Sequence, residues 1–192
     1  MISVRVVCPG LLRRENGRIL EAQSTATLVT APQANILVDT SGRERRDMLL
    51  AGLSAAGVAP SEIDVVVLTH LHLDHTGNLD LFPSARRLAR REERPGEGIE
   101  AVGGDIEIVP GVSLLHTPGH TKGSMSVVAR AKDGVYIIAG DAIPTRDNFE
   151  RWVPPGVNFD PAMALASMDV VAGSGDMIVP GHGLPFPSRR ER

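Results

Sequence analysis

One short stretch restricts this chain more than any other. Residues 63–69 form a nearly continuous apolar run, the pattern of a strand buried on both faces, and lead directly into His70-Leu71-His72-Leu73-Asp74-His75. Side chains two apart in an extended segment point the same way, so His70 and His72 can grip one cation together. Asp74 and His75 follow after the chain turns and can address a second cation nearby. Leu71 and Leu73 alternate with the histidines and are expected to point into the core, holding the segment's backbone. Three imidazoles and a carboxylate buried together would carry unsatisfied polar groups and mutual repulsion, a penalty that a metal ion removes. The bland alternative is a set of solvated surface histidines, and the spacing argues against it.

Three further segments repeat the plan. His116-Thr117-Pro118-Gly119-His120 passes from a strand into a tight turn, and Ala139-Gly140-Asp141 ends an apolar run in glycine and a carboxylate. Pro180-Gly181-His182-Gly183 follows the final apolar run, with glycines that permit a sharp turn and close backbone approach. In each, a buried strand gives way to a turn and then a donor, as a preorganised metal centre requires. His116 lies one pleat before its turn, and a structural role is preferred for it over ligation. Imidazole and carboxylate without thiolate suit Zn²⁺ and also admit Fe or Mn. Cys8, the only cysteine, sits in an apolar run and reads as a small buried hydrophobe. A lone thiol forms no intramolecular disulfide, and the first residues have neither the basic start nor the apolar length of an export signal. A cytoplasmic location is therefore expected.

Around these segments, strands are expected at 2–7, 26–30, 35–39, 106–109, 112–116, 124–129, 135–139 and 177–179. Helices are expected at 43–56, stopped by Gly57, and at 161–172, capped by Asp160. Residues 86–97 are dense in charge, close on Pro95-Gly96, and read as a solvated loop. This order fits one α/β domain over 1–188, two sheets each covered outside by helix, with a frayed tail at 189–192. A net charge of -3 gives no basic field, so nucleic acid is not the indicated partner. No window approaches the roughly 18 apolar residues of a membrane span.

The pattern H-x-H-x-D-H at 70–75, followed at a distance by His120, Asp141 and His182, resembles the metallo-β-lactamase superfamily. The strand pair within 27–38 and the Asp39-Thr40-Ser41-Gly42 that follows it are similar too, so the likeness spans nearly the whole chain. It implies a four-layer αββα sandwich and two divalent metal ions. His70, His72 and His120 would hold the first, Asp74, His75 and His182 the second, and Asp141 would bridge both. A hydroxide bridging the ions would attack an acyl carbon or a phosphorus atom, with Asp74 and Asp141 as the catalytic carboxylates.

Asp141 stands where exported β-lactamases of the commonest subclass carry a cysteine ligand, which argues against antibiotic hydrolysis. The run His75-Thr76-Gly77-Asn78-Leu79-Asp80-Leu81-Phe82-Pro83 resembles the short glyoxalase II-like branch that includes metallo-β-lactamase domain-containing protein 1. Hydrolysis of an ester, thioester or lactone of a small metabolite is the expected reaction. The alternatives are phosphodiester cleavage of single-stranded nucleic acid, and a mono-iron enzyme of the persulfide-dioxygenase kind. Specificity is expected from segment 8–22, whose tip carries Arg13, Arg14 and Arg18, and from segment 144–156. In the latter, Arg146 and Arg151 flank Asp147, Phe149 and Trp152 and suit an anionic small molecule. A plain surface loop with Trp152 packed as a lid, or as a contact in a homodimer, is an equal alternative. Lys122, just past the His120 turn, is a further candidate to reach a substrate carboxylate or phosphate.

Overall fold

Alternating side chains along the central strands decide how the layers stack. The computed structural model describes residues 1–189. Its first half contains β1 (Ser3–Cys8), β2 (Leu11–Glu15), β3 (Arg18–Gln23), β4 (Ala26–Thr30), β5 (Asn35–Val38), α1 (Arg46–Ala55), β6 (Val65–Val67), α2 (Leu73–Thr76), β7 (Arg86–Arg90) and β8 (Glu100–Val102). The second half contains β9 (Glu107–Val109), β10 (Val112–His116), β11 (Met125–Ala131), β12 (Gly134–Gly140), α3 (Arg146–Arg151), α4 (Pro161–Ser174), β13 (Met177–Pro180) and β14 (Phe186–Pro187). One six-stranded sheet runs β1-β4-β5-β6-β7-β8, the other β14-β13-β12-β11-β10-β9, and β2 pairs only with β3.

Ile36 and Val38 of β5 and Val65 and Val67 of β6 meet Val127, Ile138 and Val179 of the second sheet in one buried core. The intervening Leu37 and Val66 face the other way and pack with Leu49 and Leu53, one turn apart on α1. Ile137, Ala139 and Ile178 likewise turn outward to Met168 and Val171 of α4. Each fully buried leucine or valine contributes about 1.5–3 kcal/mol, so both outer seams hold firmly. The result is the expected helix–sheet–sheet–helix sandwich. A Cβ at Gly52 would lie 1.7 Å from the Val7 carbonyl oxygen, so α1 rests directly on the backbone of β1. Asp160 caps α4 as expected, its carboxylate accepting from the backbone of Ala162 and Met163.

Strand direction gathers the functional turns. β5, β6 and β7 run parallel, and β10, β12 and β13 share a direction in the second sheet. Their C-terminal ends meet at one edge, where the Met125 amide donates to the Thr69 carbonyl at 2.9 Å.

Several local expectations are corrected. Residues 86–97 are not a solvated loop: β7 occupies 86–90, with Leu88, Ala89 and Arg90 buried. Arg90 is accommodated because Glu92 and the Gly104 carbonyl take its guanidinium hydrogen bonds. Segment 8–22 contains most of the β2–β3 hairpin, and segment 144–156 contains α3. Leu71 packs partly against the outer core, but Leu73 is 85% exposed at the start of α2, because the chain has left the extended conformation there. Cys8 is buried as expected, and burial pushes its thiol pKa up. Among the described residues no helix is long and apolar enough to cross a membrane. Residues 190–192 of the expected tail lie outside the described residues.

Candidate metal centre

The edge where the strands end brings together all seven side chains singled out in the sequence. His70 and His72 come from the turn after β6, Asp74 and His75 from α2, His120 from the loop after β10, Asp141 from the residue after β12, and His182 from the turn after β13. Three overlapping groups have ligand atoms within 4.8 Å of one another: His70, His72 and His120; His70, His75 and Asp141; and Asp74, His75 and His182. In the first group, Nε2 of His120 lies 3.2 Å from Nε2 of His70 and 3.1 Å from Nδ1 of His72. In the third, Oδ2 of Asp74 lies 3.7 Å from Nε2 of His182 and 3.8 Å from Nε2 of His75. Asp141 stands between, with Oδ2 3.5 Å from His120 Nε2 and Oδ1 3.2 Å from His182 Nε2 and 3.6 Å from His75 Nε2. Glycine makes this approach possible: a Cβ at Gly181 would fall 2.0 Å from Asp141 Oδ1.

The far side of four of the five rings is held by the protein, His72 being the exception among the described residues. His75 Nδ1–H donates to Asp39 Oδ2 at 2.7 Å, His120 Nδ1–H to the Val157 carbonyl at 2.7 Å, and His182 Nδ1–H to the Gln23 carbonyl at 2.8 Å. With Nδ1 carrying the proton, a neutral ring turns an unprotonated Nε2 lone pair inward. Asp39 also accepts from the Thr69 amide and hydroxyl, both at 2.8 Å, and the Thr69 hydroxyl lies 3.2 Å from His70 Nδ1. One buried carboxylate thus orients two of the histidines, directly or through Thr69.

A cation fits this arrangement. His75 Nε2 and Asp141 Oδ1 are buried and have no hydrogen-bond partner among the described residues, a cost that native interiors avoid. In the metal-free chain, burial holds His70 well below its ordinary pKa, with His75 adding to the effect. Burial also lowers His72, joined by His120. Burial pulls on His75 in the same sense, but the Asp39 and Asp141 carboxylates outweigh it and raise that imidazole well above its usual value. His182 is raised by Asp141 against its burial, and Asp141 is held well below the carboxylate range by His182 and His75 despite being buried. His75 and His182 are therefore the groups that hold a proton a cation would displace, while His70, His72 and the Asp141 carboxylate stand ready without one.

A narrow cleft of about 100 Å³ opens onto the cluster, bounded by Leu12, Arg14, Ile19 and Ala22 of the hairpin and by Pro144 and Pro155–Val157 opposite. His72, Asp74, His120, Asp141 and His182 line it too. Arg146 and Arg151 are not among its walls; they pair with Glu150 and Asp147 on the exposed side of α3. Trp152 packs against Phe149 in the outer core. Lys122 lines a wider neighbouring cavity that shares His72 and His120, its ammonium 4.6 Å from the centre of the Phe159 ring. His116 stays out of the cluster, its Nε2–H donating to the Lys122 carbonyl at 3.1 Å. Sequence reasoning missed the supporting roles of Asp39, Gln23 and Val157. The one local signal was Asp39 itself, a carboxylate closing an apolar strand.

Comparison with known proteins agrees with this geometry. The profile of the Metallo-beta-lactamase superfamily matches residues 20–98 and 86–182. A protein of Methanocaldococcus jannaschii named as a probable metallo-hydrolase is 36% identical, over 94% of this chain and 87% of its own. Metallo-beta-lactamase domain-containing protein 1 of Xenopus laevis is 33% identical, over 96% of this chain and 81% of its own. An N-acyl homoserine lactonase of a Bacillus species is 32% identical over 72% of this chain, which spans 63% of that enzyme. In fold, the crystal structure of a Thermotoga maritima protein assigned to the metallo-beta-lactamases superposes with a TM-score of 0.80 at 21% identity, covering 97% of this chain and 99% of that one. The chain belongs to the metallo-beta-lactamase superfamily and is one of its hydrolases.

Proposed function

We propose that this hydrolase works with two divalent cations, Zn²⁺ first among them, on an ester, thioester or lactone of a small metabolite. His70, His72 and His120 would hold one cation, Asp74, His75 and His182 the other, and Asp141 would bridge them. The observation that carries this reading is the Asp141 carboxylate, which turns one oxygen towards His120 and the other towards His75 and His182. Bound cations would supply a water of lowered pKa and a Lewis acid for the substrate carbonyl. The chain's own part is orientation. Asp39, Val157 and Gln23 fix the tautomers of His75, His120 and His182, and Asp74, part exposed beside the cleft, would orient the attacking water. Leu12, Ile19 and Val157 offer apolar contact to an acyl chain and keep bulk water from it. The apolar walls of the cleft favour a small acyl compound.

Purified enzyme should be tested on thioesters, lactones, bis(p-nitrophenyl) phosphate and a labelled oligonucleotide, with metal content measured on the same sample. Acyl turnover at close to two ions per chain is expected. Faster cleavage of the phosphodiesters would transfer the reading to a nuclease, and a single iron with oxygen consumption would transfer it to a dioxygenase.

A further inference from the structure

The cleft wall formed by the β2–β3 hairpin is irregular in a way that matters for its chemistry. Leu12 pairs with Ala22 and Arg13 with Glu21, but Arg14 pairs with Ile19, so Leu20 is left as the extra residue of a bulge. Bulges re-aim side chains beside sites. Here Ile19 and Ala22, three residues apart, both line the cleft with Leu12 and Arg14, while Leu20 lines a neighbouring cavity with Arg13 and Glu21. Alternation along β2 puts Leu12 and Arg14 on the cleft side and Arg13 on the other, and the bulge in β3 sets Ile19, in place of Leu20, beside Arg14 there.

Arg14 reaches the opposite wall. A Cβ added at Gly156 would lie 3.2 Å from its Nη1 and 3.3 Å from its Nη2, so the missing side chain at 156 leaves the space the guanidinium uses. Arg13 has Glu21 at 3.9 Å, whereas Arg14 has no ion-pair partner among the described residues. Among the described residues no other cleft-lining side chain is permanently cationic; the rest of the upper wall is Leu12, Ile19, Ala22 and the proline-rich strip opposite. A guanidinium is the side chain best matched to a carboxylate, through two parallel N–H···O bonds.

We propose that Arg14 is the anion subsite of this cleft, and that the substrate carries a carboxylate separated from its scissile carbonyl by a short apolar spacer. This rests on the acyl-hydrolase reading above and narrows it. The spacer lies along Leu12, Ile19 and Val157, and the carboxylate is bound where the hairpin meets Gly156.

Matched thioesters test this: a succinyl and a butyryl thioester of one small thiol, nearly equal in length and differing in the terminal carboxylate. With metal-loaded wild-type enzyme, kcat/KM should favour the succinyl compound by about 10-fold or more. Arg14→Met should collapse that ratio, mainly through KM for the succinyl compound, and Arg14→Lys should restore part of it. Arg13→Met removes the same charge one residue away and should keep the ratio. Thermal melting and metal content of each variant establish that it is folded and loaded. An equal fall in Arg13→Met and Arg14→Met would assign the effect to the general field and overturn the subsite, as would an unchanged ratio in Arg14→Met. Turnover of both thioesters without preference in the wild type overturns the subsite alone. Turnover of neither overturns the subsite, and the acyl-hydrolase reading falls with it only where the lactones of the panel above are left untouched as well.

Discussion

Asp141 shows how much rests on single atoms. Both of its oxygens face imidazole nitrogens, one on each side of the cluster, and one of them is buried without a hydrogen-bond partner among the described residues. Asp141→Asn replaces one oxygen by an NH₂ that can only donate. Metal content should fall from about two ions per chain towards one, and kcat/KM by about 100-fold or more, while the fold survives. His116→Ala removes a hydrogen bond to the Lys122 carbonyl and should leave the metal content unchanged. Elemental analysis of the two purified variants decides the matter; equal metal loss in both would show that His116 belongs to the centre. The seven side chains that meet at this edge were legible in the sequence because each follows an apolar run at a turn. Asp39 was not legible in its role, since it serves a histidine 36 residues further along the chain, a distance that only the parallel packing of β5 and β6 closes.

Elements were legible where periodicity was clean and illegible where charge hid it. The continuous apolar run that becomes β6, the stop at Gly57 and the Asp160 cap followed directly from residue pattern. β7 did not, because three of its five residues are arginine and a strand buried by its neighbours has the composition of a solvated loop. That misreading concealed a functional link. Just past β7, Glu93 Oε2 accepts from the Leu71 amide, between His70 and His72, while Oε1 accepts from the Thr121 hydroxyl and the Gly123 amide, in the turn that carries His120. A single carboxylate thus joins two turns that supply donors to the same group. Glu93→Ala should weaken metal affinity by about 10–100-fold, read by competition with a chelator, as for other residues that orient ligands. Glu93→Gln keeps one accepting oxygen and should fall between. A lowered melting temperature with unaltered metal affinity in Glu93→Ala would reduce Glu93 to a stabilising contact.

The whole molecule can be regarded as two sheets tied at one edge by groups that bind each other poorly without a cation. The donors come from both sheets, and the Gln23 and Val157 carbonyls extend the tie to the hairpin and the opposite cleft wall. Metal removal should therefore act globally: at free metal about 100-fold above Kd the loaded form gains about 2.7 kcal/mol, or about 5–10 °C in melting temperature for a chain of this size. The pH dependence follows from the same groups. His75 has a raised pKa in the metal-free fold, so its contribution is fully present below its unfolded pKa and is lost as pH rises through the raised value. Asp141 has a lowered pKa, so its contribution is present above its unfolded value and is lost only as pH falls through the lowered one. Raising the pH thus weakens the metal-free protein through His75. It favours metal uptake, because ligation requires His75 without its proton, and binding releases that proton at any pH below the raised value. The gap between loaded and chelated melting temperatures should widen as the pH rises from the ordinary histidine range towards the raised value of His75. Calorimetry of metal uptake in buffers of different ionisation enthalpy should register proton release that declines over the same range. A gap that stays constant or narrows, with no proton released at neutral pH, would mean that no cation contacts His75, and the two-cation arrangement around Asp141 would have to be abandoned.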